Sequence, residues 1–405
     1  MNRYQDIVGR INYGLFLTVV ALLPYPQIFL RYACVLWIIS WYLEGRWLGE
    51  RLKGKGVYIP FLLFGLWYAW HALSGLWADD PTAWAMQMER YMAFGLMVPV
   101  GIWGVNRYYK PETTLRVLAV TAWIVVPIYL LILIFQWDHQ TGLVDFMAEN
   151  ISHIKHRLFL CTVELAGILA AIKLWKHRPF LLSGALLTMM TMVVLSGSRQ
   201  AILTVASVGA LLLIYALPKP YRLRYGVGIL LIGLMMGVGI LSLHPRMQEL
   251  GFNGLTNMRE LSYYHDLRLN VWGAALQSPS DYLAYGVGGG QSPHYLAQHF
   301  QEAQMPYYAQ AGLHAHNQYL EEMMEIGLPG LLLFLLAWCT VPFCARGEGR
   351  RTAWLFTTVF AISMLTDCMF GKFDGIAIWA TVLVLILFQS DTEGDEQSSR
   401  DAETH

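Results

Sequence analysis

A His-Ala-His-Asn run, His314 to Asn317, stands in front of a long apolar segment, and nine residues further on comes Gly327-x-x-Gly330. Imidazole gains and loses a proton near neutral pH, so a histidine at the mouth of a membrane helix can serve as general base toward a hydroxyl. His316 is the candidate for that work, with His314 and Asn317 beside it. The plainer alternative is a helix-start residue that bonds the first turn. His-x-His can also ligate metal, but Asp281, His294 and His299 in the same region fall at no recognisable ligand spacing, so no metal is expected. Gly327 and Gly330 are small enough for close packing of membrane helices, which would fix the histidine-bearing helix against its neighbours. Pro329 between them can add a kink.

A reaction at this end of the bundle also needs cations if its leaving group is anionic. Arg199 sits in a short hairpin, Ser196 to Gln200, and Arg268 in a long loop. Arg31 and the Glu89-Arg90 pair fall inside apolar runs, and His71 and Asp367 near run ends. Charges within a span are costly and face the bundle interior or a wet cavity. The structural alternatives are that Arg199 snorkels to headgroups, that Arg268 is solvated, and that Arg31 or Arg90 pairs with Glu89. The functional reading is an arginine-rich cavity open to the outer leaflet. It would suit a lipid-linked pyrophosphate, because guanidinium presents a planar fork of donors to phosphate oxygens.

The elements that must position these groups follow from composition. Of 405 residues, 56% are hydrophobic and only 14% charged, against about a quarter charged in soluble domains. Apolar runs near 11–24, 27–42, 57–76, 83–104, 115–137, 157–175, 179–196, 200–217, 225–243, 322–344, 352–370 and 373–390 predict an all-α polytopic membrane protein of about twelve transmembrane helices. The first run lacks a small-residue cleavage site, so it reads as a helix and not a leader. With the N-terminus inside, nineteen of the 28 Lys and Arg fall on the inner side and seven on the outer. That bias puts both termini in the cytoplasm. The expected organisation is a bundle of nine helices over 1–243, an outer loop over 244–316, three helices over 317–390, and an acidic, disordered cytoplasmic tail over 391–405. Within the loop, residues 261–276 have helical apolar spacing and read as a surface helix. The run Tyr285 to Gly290 reads as a flexible turn where backbone can approach a ligand. It is no dinucleotide fingerprint, since no strand–helix unit surrounds it. The five cysteines lie in or beside apolar runs without a CxxC, so they read as small buried hydrophobes.

These residues resemble a known family. His316-Asn317, nine residues, Gly327 and Gly330 match the pattern His-[Asn/Ser/Gln]-x9-Gly-x-x-[Gly/Thr/Tyr] of bacterial O-antigen ligases and their relatives, the O-antigen polymerases and protein O-oligosaccharyltransferases. Arg199 to Leu203 resembles the family's Arg-x-x-x-Leu element. Arg268 with Trp272, ahead of Gly286 and Gly288, is similar to its periplasmic-loop arginine, and Asp367 to an acidic residue of its penultimate span. The resemblance is specific from about 195 to 345. It implies a GT-C-like glycosyltransferase in the inner membrane of a Gram-negative bacterium, with a periplasmic site and without metal, nucleotide or other cofactor. The implied donor is an undecaprenyl-pyrophosphate-linked glycan and the acceptor a sugar hydroxyl of lipid A–core. His316 would be the base, and Arg199, Arg268, Arg31 and Arg90 the pyrophosphate binders. Asn317, Asp367, His314, Gly327 and Gly330 would support them. Besides membrane lipids no further partner is expected, and no nucleic acid. A polymerase or a protein-glycosylating enzyme remains the alternative, although the short acidic tail favours a ligase. A transporter is remote, because neither inverted repeats nor paired broken helices are evident.

Overall fold

A computed structural model describes residues 3–45, 56–137, 142–196, 199–216, 267–345 and 347–387, with positions 139, 228 and 235. Every regular element among them is helical. In chain order these are α1 (Arg3–Leu22), α2 (Gln27–Glu44), α3 (Tyr58–Leu73), α4 (Pro81–Trp103), α5 (Pro111–Gln136), α6 (Leu143–Ile154), α7 (Arg157–Trp175), α8 (Pro179–Leu195) and α9 (Arg199–Ala216). Then come α10 (Leu267–Ala275), α11 (Ser292–Glu302), α12 (Pro306–Gln310), α13 (Gln318–Cys344), α14 (Gly347–Thr366) and α15 (Phe373–Leu387). Among the described residues four helical stretches are long and apolar enough to cross a membrane: Tyr58–Leu76, Pro111–Gln136, Arg157–Trp175 and Gln318–Cys344. The chain is an all-α polytopic membrane protein.

Eleven of the twelve apolar runs are helices. The run at 225–243, residues 261–266 of the expected surface helix and the tail at 391–405 lie outside the described residues. The short α6 was not expected. Its twelve residues follow α5 and end at Lys155, whose Nζ is buried and pairs with Asp374 Oδ1 at 2.7 Å. The same Nζ donates to Tyr25 O at 2.8 Å, joining the α1–α2 turn to the start of α15. A buried ammonium needs such partners.

At the centre stands α7, which packs on α5, α8, α9 and α14 and is apolar nearly all round, as a fully surrounded helix must be. Large exposed side chains such as Phe135, Phe180 and Leu187 lie on the outside, where lipid would cover them. The helices that carry the site form a second group: α3 packs on α4 and α13, and α13 packs on α14. α4 begins with Asp80 capping the amides of Thr82 and Ala83, and Asp80 exchanges two hydrogen bonds with Gln291 in the long loop. The loop is thereby bound to one end of the bundle.

Candidate active site

Why α13 starts where it does is local. Asn317 has extended backbone, and its side-chain oxygen accepts the Leu320 amide at 3.1 Å, which satisfies one of the free donors of the first turn. Its Nδ2 donates to Leu365 O at 3.1 Å and so ties the start of α13 to the end of α14. Just before the cap, His316 has φ 48°, a left-handed conformation that costs an L residue about 1–2 kcal/mol. Three contacts hold it there. Its N–H donates to His314 Nδ1 at 3.2 Å, the Ala315 N–H donates to Glu321 Oε2 at 2.7 Å, and the Trp272 indole N–H donates to Ala315 O at 2.9 Å.

This turn brings three titratable side chains together. His316 Nδ1 lies 3.5 Å from Asp367 Oδ1, long for a hydrogen bond but within ion-pair range, and the His314 and His316 rings are 4.1 Å apart. Asp367 stands immediately beyond α14, not within the penultimate span as the sequence implied. Burial alone would raise its carboxyl, but the contact with His316, the His314 ring and the Cys368 N–H outweigh that and hold it at about 2. Burial pushes His314 below the ordinary histidine range, an effect that the Glu321 charge partly opposes. A carboxylate beside a histidine can orient an imidazole, but His316 Nδ1 makes no hydrogen bond among the described residues.

Asp367 is located by a relay of buried groups. Glu322, fully enclosed, accepts from the Trp67 indole at 2.8 Å and the Gln318 amide at 2.7 Å, and lies 3.0 Å from His71 Nε2. Gln318 in turn accepts the Phe370 N–H at 2.8 Å, three residues beyond Asp367. His71, read from sequence as a polar group near a span end, therefore serves this buried relay.

The glycines require a correction. Gly327 does not pack helix on helix; it breaks α13, with φ 69° and ψ −175°. At the break, Val287 and Gly288 donate to Met324 O and Glu325 O, and Leu328 donates to Leu283 O, so the loop lays its backbone on the helix. A Cβ on Gly327 would stand 2.6 Å from Tyr285 Cα, and one on Gly286 2.2 Å from Glu325 O. The run 285–290 is thus not a loose turn near a ligand: its glycines admit the protein's own backbone, and Gly289 and Gly290 are bonded to Ser74 Oγ and Glu325 Oε1. Gly330 remains helical and lies under Ile326.

The arginines divide. Arg268 is half-buried on α10, four residues before Trp272 and so on the same face as the residue that bonds Ala315. Arg199 opens α9, which packs on α14, and its side chain lies outside the described residues. Arg31 is exposed; it bonds Gln27 and lies over the Phe373 ring at 5.6 Å. Arg90 is exposed on α4, and no described contact joins it to His316. Among the described residues neither Arg31 nor Arg90 pairs with Glu89, because both helices turn these charges outward. Exposed Lys372 is a cation that the sequence did not single out. Its charge acts on both His314 and His156, whose imidazole burial and Lys372 together push below the ordinary range.

Sequence spacing also hid a metal-capable set. Ligand atoms of His314, His316 and Asp367 lie within 4.8 Å of one another, as do those of His314, Glu321 and Cys368. The third ligand comes from the segment just after α14 in each case, so no local motif announces it. All five cysteines are free, and Cys339 is exposed where a buried one was expected.

No curated protein matches the chain. Residues 184–335 match the family model described as O-antigen ligase, a stretch that includes α9, α10, the glycine-rich turn, His316 and the break at Gly327. Over this stretch the chain is similar to the O-antigen ligase family.

Proposed function

We propose that the protein transfers a glycan from undecaprenyl pyrophosphate to a sugar hydroxyl of lipid A–core on the periplasmic face of the inner membrane. The observation that carries this reading is the approach of Asp367 to His316 at the mouth of α13, His316 itself lying in the stretch similar to O-antigen ligases. His316 Nε2 takes the proton of the acceptor hydroxyl. That oxygen forms the bond to the donor's anomeric carbon as the bond from carbon to the pyrophosphate oxygen breaks. The electron pair leaves with the lipid pyrophosphate, and direct displacement inverts the anomeric configuration. Arg268 and Arg199 hold the departing charge, with Arg31 and Lys372 at the rim; a donor aimed at developing charge is worth about a hundredfold or more in rate. Arg90 is the weakest of the proposed binders, being exposed away from the turn. Both termini would be cytoplasmic, since nineteen of the 28 Lys and Arg fall in the segments that the sequence assigns to the inner side.

The test is transfer by purified protein from lipid-linked glycan to rough lipopolysaccharide, without ATP and with or without chelator. Wild type should produce a ladder that chelator leaves intact, and His316→Ala should not. Near-normal transfer by His316→Ala refutes the base, and loss with chelator favours a metal held by His314, His316 and Asp367. A polymerase is the second reading, because the matched family covers both. Deleting a ligase leaves lipid A–core bare, whereas deleting a polymerase leaves one repeat attached.

A further inference from the structure

At the end of the bundle opposite His316, the start of α5, the end of α7 and the start of α8 enclose a cavity of about 330 Å³ lined by Glu112, Arg116, Val120, Leu174, Trp175 and Arg178. The direction of α7 fixes this placement: its first residue follows His156, beside Lys372, and its last turn carries Trp175. The lining is two-sided. Two guanidiniums form one part, and Val120, Leu174 and the nearly buried Trp175 form the other. The first turn of α8 has no acidic residue and no side-chain cap, so its amide donors also face this end unpaired by side chains. On the last turn of α7 the Lys173 Nζ is enclosed and has no hydrogen-bond partner among the described residues. Among the described lining residues Glu112 alone is acidic. It pairs with Arg116 at 3.0 Å, but both side chains are largely exposed, so the pair is weak.

We infer that this cavity binds the phosphodiester headgroup of an acidic phospholipid, with the upper acyl chain against Val120, Leu174 and Trp175. Phosphate oxygens fit guanidinium forks. A free phosphate would use the charged part alone and leave the apolar wall bare. The location agrees, because basic pockets between helices on the Lys- and Arg-rich side meet the anionic leaflet. Glu112 then acts as the competitor that the headgroup displaces from Arg116.

Native mass spectrometry of the full-length protein in detergent tests this, with phosphatidylglycerol or phosphatidylcholine of identical chains added and a parallel arm containing inorganic phosphate. Wild type should retain a single phosphatidylglycerol about fivefold over phosphatidylcholine, the preference that a net single basic side chain near the headgroup provides. The Arg116→Ala/Arg178→Ala double variant should lose that preference, and Glu112→Gln should increase it, a gain that misfolding cannot imitate. Equal retention of both lipids, or an unchanged preference in the double variant, overturns the inference. Displacement of the lipid by equimolar inorganic phosphate would make free phosphate the ligand and overturn the headgroup assignment.

Discussion

Replacing Glu321 with alanine should misplace the proposed base without touching it. Glu321 is nearly buried and accepts from two enclosed donors, the Ala315 N–H at 2.7 Å and the Ser292 hydroxyl. The hydroxyl has a second acceptor in Glu325 Oε1 at 3.2 Å, so its loss is made good by rotation. Among the described residues the Ala315 N–H has no second acceptor, and leaving a buried donor unpaired costs about 1–3 kcal/mol. Ala315 is the residue between the two histidines, and His316 already bears the strain of a positive φ. Part of that cost will be relieved by relaxation of the turn, which shifts the imidazole against Asp367. A displacement near 1 Å is worth about a hundredfold in rate. The assay is the transfer reaction above, read alongside thermal unfolding. Glu321→Ala should reduce kcat by about ten- to a hundredfold and lower stability by about 1–3 kcal/mol. Glu321→Gln keeps an acceptor for Ala315 and should retain most of both, while removing the charge that supports His314 protonation. Transfer and unfolding both unchanged in Glu321→Ala would refute the claim that this carboxylate holds the turn.

The remaining expectations concern the break in α13 and pH. Gly327→Ala should destabilise by about 2 kcal/mol or more, because a positive φ costs about 1–2 kcal/mol and the new Cβ meets Tyr285 backbone, which cannot step aside. Gly330→Ala should cost less, since its Cβ meets the Ile326 side chain, and equal melting losses in the two variants would contradict this account. The folded-state proton affinity of His314 is depressed, so its contribution to stability is complete above about 6.5 and is lost as pH falls below that value. Asp367, held at about 2, contributes above about 4 and loses its share only as pH falls through about 2. Thermal unfolding scanned downward from neutral pH should therefore decline first through His314, and His314→Gln should flatten that first step; an identical profile in the variant would refute it.

The sequence by itself determined the helices. Apolar runs of spanning length can only be satisfied by helices in lipid, and they recur at nearly the residues observed, from Gln27–Glu44 through Arg157–Trp175. The Asn317 cap, too, is local chemistry, because an Asn at that position needs nothing beyond its own first turn. What sequence could not decide was which distant groups meet. Glu321, Glu322 and Glu325 look like liabilities on a span and become acceptable because Ala315, Trp67, Gln87 and Ser292 supply donors from outside α13. The role of Gly327 likewise needed the loop that lies on it, and Asp367 became a partner of His316 only when two helix ends were packed together. Periodicity and capping are properties of neighbours along the chain. Ion pairs, buried carboxylates and backbone-on-backbone contacts depend on neighbours in space, and only the tertiary structure chooses those.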